Sequence, residues 1–323
     1  MGDWRPDHGP AVTSVSCCCF RNAVVPRSIR CVAILLTLAF SSTLFGQSAL
    51  RLQIAAIAGE THGKVSVACS LPGAALNCDF NPHAHPPMQS VFKAPLALTA
   101  LHLIERGDFS LDDKIRFRAS DRILPHAYSP LQDQYPAAEV DIPLSRLLTL
   151  AVSLSDNVAA DVVLRIIGGP AVVERYIKAA GIGGFHIEDN EAALHRDPGV
   201  QYRNWFEPAA AVQFLRLLND HPPITAGHAA LLLDWMRDTP RADQRIKGRL
   251  PAGAIVMHKP GTSDTDHGLT AATNDIGLIA LPDGRRLAIA VFVTDSTANE
   301  ATRDSVIARI ARAAHDAAID PHR

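Results

Sequence analysis

The chain has 323 residues, 47% of them hydrophobic and 20% charged, with a formal net charge of -2. That length can bury a large core, and the composition is that of an ordered globular protein. A net charge so close to zero supplies no strong field for nucleic acid or an anionic membrane surface, so a small molecule is the expected partner.

At the N-terminus Arg27 and Arg30 precede an apolar run from Cys31 to Phe45, and the small residues Gly46, Ser48 and Ala49 follow. Charge, apolar run and small residues in that order predict a secretory signal with an N-terminal extension over residues 1–48. The run has about 15 residues, short of the roughly 20 that span a bilayer. The mature chain is therefore expected to be periplasmic or secreted, a monomer without a membrane anchor. Cys17, Cys18 and Cys19 have no further His or Cys at ligand spacing and read as part of the extension, without a function.

Leu50 to Ile57 carries a helical pattern, and Lys64 to Ala68 and Ala75 to Phe80 read as two strands of a hairpin about Leu71-Pro72-Gly73-Ala74. Cys69 and Cys78 flank that turn, where a disulfide and two buried thiols are both compatible with the sequence. His83-Ala84-His85 has the form of a metal pair, but prolines surround it and no third ligand stands nearby, so neither metal nor cofactor is expected.

Helical spacing recurs over Ala94 to Arg106, Leu144 to Val152, Asn157 to Ile167, Ala171 to Ala180, Pro208 to Asn219 and Ile224 to Met236. Strands return at Ala254 to His258, Ile276 to Leu281 and Arg286 to Thr294, and a last helix runs from Ala301 to Ala317. Strands at both ends of a helical stretch predict one sheet assembled from the two termini, beside an all-helical part. The expected division is an α/β domain over 49–87 and 240–323 and an all-α domain over 88–239.

Three short motifs follow in order: Ser90-Val91-Phe92-Lys93, Ser155-Asp156-Asn157 and Lys259-Pro260-Gly261. Ser90 opens a helix, so Lys93 lies one turn on, on the same face, with its amine in reach of the hydroxyl. A serine needs such a neighbour to take its proton as it attacks a carbonyl, and a helix N-terminus offers N–H groups to the oxyanion.

With these motifs the sequence resembles the class A serine β-lactamases, and most closely their extended-spectrum branch of the PER and VEB type. Further stretches carry the likeness: Gln201-Tyr202-Arg203-Asn204-Trp205, His258 to Ser263, and Thr270 to Asp275. The resemblance implies the α/β fold shared with penicillin-binding proteins, an antiparallel sheet flanked by helices plus an all-helical domain. It implies hydrolysis of penicillins and cephalosporins through a Ser90 acyl-enzyme, with a β-lactam as the small-molecule substrate.

The same likeness distributes the roles. Ser155 passes a proton to the leaving nitrogen, Asn157 binds the acylamino side chain, and Lys259 faces the substrate carboxylate. The backbone N–H groups of Ser90 and Thr262, the latter next to Gly261, form the oxyanion hole, and Thr262 and Ser263 offer hydroxyls to the carboxylate. In an Ω-loop over about 184–208, Glu191 activates the deacylating water with His195 as its polar partner, whereas Glu188 and Glu207 read as solvated. Arg245 matches a carboxylate-binding arginine and Tyr128 a rim aromatic. Whether Lys93 or Glu191 is the acylation base stays open. Pro260 departs from the family's Thr or Ser, removing a hydroxyl and a strand N–H. A penicillin-binding DD-peptidase or a β-lactam sensor shares the three motifs but lacks the Ω-loop glutamate.

Overall fold

A computed structural model describes residues 49–124 and 127–320; the expected signal segment, residues 1–48, lies outside them. The chain begins with α1 (residues 49–58) and β1 (Lys64–Ser70), then α2 (Lys93–Glu105), β2 (Lys114–Phe117), α3 (Pro130–Gln134) and β3 (Val140–Pro143). Four helical segments follow: α4 (Leu144–Ser153), α5 (Asn157–Ile167), α6 (Pro170–Ala179) and, after β4 (Phe185–His186), α7 (Glu191–Arg196). Then come β5 (Trp205–Phe206), α8 (Pro208–Asp220), α9 (Ala226–Arg237), β6 (Val256–Thr262), β7 (Thr265–Asp266), β8 (Leu269–Ala280), β9 (Arg286–Ser296) and α10 (Glu300–Ile319).

The main sheet is antiparallel in the order β1-β9-β8-β6, with β7 beside β8, so the first strand of the chain pairs with the last. Both faces are covered, as the alternation along β9 dictates. Leu287, Ile289, Val291 and Val293 pack with Leu50 and Ile54 of α1 and with Val306 and Ile310 of α10. Ala288, Ala290 and Phe292 point the other way, into a larger core with Phe214 and Leu215 of α8 and with the helices α2, α4, α5 and α9. The fold is thus the α/β arrangement expected, a sheet built from both ends of the chain and a helical layer against it.

The expected strand over Ala75 to Phe80 does not form. Only Phe80 bridges to Val67, through a reciprocal pair of backbone hydrogen bonds, while Asn77 turns the chain by accepting from the Asp79 amide. A disulfide joins Cys69 to Cys78 across this loop. Two strands were underestimated: β6 continues through Lys259, Pro260 and Gly261, and β8 starts at Leu269 rather than Ile276. Polar residues such as Thr273, Asn274 and Asp275 hide that half of β8, because their side chains are buried against partners rather than packed in oil.

Candidate active site

Residues Gln89–Phe92 form a 3-10 turn that runs straight into α2 at Lys93. Gln89 has φ 48°, a left-handed conformation that a residue with a Cβ keeps only where its surroundings enforce it. Here the Met88 amide donates to the Asn204 carbonyl, and the Asn274 side chain donates to the Pro87 carbonyl. Ser90 is thereby fixed at the head of the helix, and Lys93 turns back to place Nζ 2.9 Å from Ser90 Oγ. The Lys93 amine is fully buried, which is tolerable because its charge is paired and its hydrogens are used. Nζ also meets Glu191 Oε1 at 2.8 Å, the Ser155 carbonyl at 2.9 Å and Asn157 Oδ1 at 2.5 Å.

Ser155, also left-handed at φ 58°, stands between α4 and α5. Asp156 caps α5 by accepting from the Ala159 amide, and the same carboxylate accepts from Ser129 Oγ at 2.8 Å and the Leu131 amide at 2.6 Å. Burial pushes its pKa up. One cap therefore fixes both the serine motif and the segment that carries Tyr128. Asn157, first in α5, brings Nδ2 within 2.9 Å of His195 Nε2. One turn later Asp161 accepts from the Glu191 and Ala192 amides at 2.8 and 2.9 Å, tying α7 to α5. Burial, and then the charge of Glu191, pushes the Asp161 carboxyl up to about 7.

Residues 184–208 close on themselves where β4 pairs with β5, Phe185 opposite Phe206 and His186 opposite Trp205. Within this loop Asn190 caps α7, and Glu191 at its first position is almost wholly buried, with Oε1 3.4 Å from Ser90 Oγ and Oε2 4.0 Å from His195 Nε2. The other two glutamates go elsewhere. Glu188 pairs with Arg203, and Glu207 holds His83 and His85 at 2.9 and 3.2 Å.

The sheet contributes β6, an edge strand that pairs with β8, and an edge is where a proline is tolerated. Lys259 is fully buried and donates to Ser155 Oγ at 2.9 Å and to the Pro260 carbonyl at 3.0 Å. Burial, and then the positive charge of Lys93, hold its amine well below the ordinary lysine range. Gly261 passes so close to the Ser90 turn that a Cβ there would stand 2.5 Å from the Met88 carbonyl oxygen. Ser263 Oγ accepts from the Ala272 amide, so it is turned toward β8.

Arg245, which the resemblance marks as a carboxylate-binding arginine, is buried against β6 and β8. Its Nε donates to Asp304 at 2.8 Å, Nη1 to the Gly261 and Asn274 carbonyls, and Nη2 to Thr262 Oγ1 at 2.8 Å. It reaches the cleft through Thr262.

These groups meet in a cleft of about 460 Å³ bordered by Ser90, Ser155, Asn157, Thr262, Tyr128 and Arg241. Tyr128 is 40% exposed at its edge, with the Arg241 guanidinium 4.2 Å from its ring centre. A second cavity of about 310 Å³ adjoins it, between Leu194, His195 and Tyr202 on one side and Ser263 and Ala271 on the other. Sequence reasoning missed the anchoring role of Asp161, although its place four residues after Asn157 puts both on one helical face. It also missed Arg241, which no local pattern marks. A hydroxyl beside a buried amine and a buried carboxylate, with left-handed backbone at Gln89 and at Ser155, is suited to nucleophilic attack on a carbonyl followed by attack of water.

The family model described as "Beta-lactamase enzyme family" matches residues 49–318. The "Extended-spectrum beta-lactamase PER-1" of Pseudomonas aeruginosa is 37% identical over 294 residues, covering 90% of this chain and 95% of that protein. Among solved structures, a beta-lactamase from Chitinophaga pinensis superposes with a TM-score of 0.80 at 41% identity, covering 84% of this chain and 99% of its own. The TLA-1 extended-spectrum beta-lactamase does so with a TM-score of 0.82 at 36% identity, covering 85% and 100%.

Proposed function

This chain belongs to the beta-lactamase enzyme family, and we propose that it hydrolyses the β-lactam amide of penicillins and cephalosporins through an acyl-enzyme on Ser90. The observation that carries the reading is the placing of one amine, Lys93 Nζ, 2.9 Å from Ser90 Oγ and 2.8 Å from Glu191 Oε1.

Ser90 Oγ attacks the β-lactam carbonyl carbon while its proton passes to the Lys93–Glu191 pair. The backbone N–H groups of Ser90 and Thr262 stabilise the oxyanion. The C–N bond then breaks as Ser155, in contact with the Lys259 amine, gives its hydroxyl proton to the leaving nitrogen and takes in turn the proton that came from Ser90, which returns Lys93 and Glu191 to their starting states. Glu191 next takes a proton from water as that water attacks the ester, releasing the acid product and restoring the Ser90 hydroxyl. His195, held by Asn157, helps to orient this water.

Asn157 binds the acylamino group, and the adjoining 310 Å³ cavity gives room for the large substituents of extended-spectrum compounds. Lys259 and Thr262 receive the substrate carboxylate at the floor of the cleft, and Arg245 acts by aiming the Thr262 hydroxyl. Export to the periplasm accords with the disulfide, which persists in oxidising compartments.

The test is intact-protein mass with absorbance after residues 49–323 are mixed with a chromogenic cephalosporin without added metal. Sustained turnover that vanishes in Ser90→Ala supports the reading. A single burst ending in a stable adduct points to a penicillin-binding protein or sensor and removes the role given to Glu191.

A further inference from the structure

β-Lactams carry a carboxylate, and a cleft that selects them needs a cation able to meet it. Among the described residues four Lys or Arg side chains border or underlie this cleft, and three of them are buried and bound to neighbouring groups. Lys93 is consumed by Ser90 and Glu191. Lys259, which meets the carboxylate at the floor of the cleft, is fully buried beside Ser155 and does not reach the mouth. Arg245 spends its three nitrogens on Asp304, two strand carbonyls and Thr262.

Arg241 is different. It is exposed on the wall of the same cleft, and among the described residues no carboxylate lies within ion-pair distance of it. The nearby Asp243 is paired with Lys247, and Asp304 with Arg245. Asp264 and Glu300 also border the cleft, so an anion is favoured only where Arg241 outweighs them. The guanidinium lies over the Tyr128 ring at 4.2 Å. A cation–π contact restricts the side chain without occupying its N–H groups in an ion pair, so they remain able to meet a carboxylate. Tyr128 is itself fixed, since its carbonyl accepts from the Asn157 amide and the adjacent Ser129 is bound by Asp156.

We propose that Arg241 is a specificity-determining residue: braced on Tyr128, its guanidinium receives the carboxylate of the incoming β-lactam at the mouth of the cleft. This rests on the hydrolase reading given above.

The experiment compares a penicillin with its methyl ester in the wild type, Arg241→Ala and Arg241→Lys. Loss of a charged hydrogen-bond pair lowers kcat/KM for the acid roughly 10- to 100-fold in Arg241→Ala. The change falls mainly in KM, ester turnover moves less than twofold, and Arg241→Lys lies between because it keeps the charge but not the fork. An unchanged acid-to-ester ratio overturns the proposal, as does an equal fall for both compounds, which marks a packing role. Failure of the wild type to turn over either compound overturns the hydrolase reading itself, and this proposal with it.

Discussion

Lys93 Nζ lies 2.8 Å from Glu191 Oε1, although the two residues come from a helix and from a loop almost a hundred positions apart. The contact sets a buried carboxylate and a buried amine beside Ser90, and Asp161 supports it by accepting from the first two amides of α7. Removing the Glu191 carboxylate leaves Lys93 able to assist acylation but leaves no base for water. Glu191→Gln is therefore expected to accumulate a covalent adduct on Ser90, with turnover reduced by about 10²- to 10⁴-fold. Intact mass after manual mixing reads the adduct directly.

Asp161 also predicts a pH dependence of stability. In the unfolded chain its carboxyl titrates near the ordinary aspartate value; folding moves this up to about 7. Between those values the folded state holds the extra proton, so stability falls as pH rises from about 4 through 7 and is then level in this group. Asp156 shifts in the same direction and adds to the slope. Denaturant unfolding at pH 5 and pH 8 measures it. Asp161→Asn should flatten the difference while slowing deacylation, and an unaltered slope in that variant would assign the effect to other groups.

Arg245 predicts a stability effect rather than a pure binding effect. Its ion pair with Asp304 is buried at both ends, with side chains 4% and 13% exposed. Truncating one partner of such a pair costs about 3 kcal/mol or more, because the other charge stays buried. Arg245→Ala is thus expected to lower the unfolding midpoint markedly, whereas Arg241→Ala leaves it nearly unmoved. Equal midpoints for the two variants would count against this division.

Gly261 predicts the opposite pattern. A methyl group there meets the Met88 carbonyl oxygen at 2.5 Å, so β6 and the Ser90 turn must separate. Gly261→Ala should reduce kcat/KM at least tenfold with a smaller loss of thermal stability than Arg245→Ala, as a misplacement near the reacting centre is costly.

The Cys69–Cys78 disulfide closes a short loop. For a loop of about ten residues, the chain-entropy model gives about 2.5 kcal/mol. The double replacement Cys69→Ser with Cys78→Ser should lose stability of that order and keep its activity, since the loop sits on the far edge of the sheet from β6. Denaturant curves with and without reductant on the wild type provide the same comparison.

The sequence by itself determined the pairing of Ser90 with Lys93, the order of the two companion motifs, the long helices and the origin of the sheet in both termini. These are local facts: apolar periodicity marks elements whose stability comes from a core, and Ser90 and Lys93 meet within one helical turn. It fell short where partners are distant in the chain. The run Ala75 to Phe80 alternates like a strand but bridges to β1 at Phe80 alone, whereas the polar half of β8 is a strand because Asn274 and Asp275 find buried partners elsewhere in the chain. Likewise nothing near Arg245 or Arg241 distinguishes a buried brace from an exposed cation. Tertiary structure decided between them, since only the folded chain brings Asp304 and the strand carbonyls to one guanidinium and the ring of Tyr128 to the other.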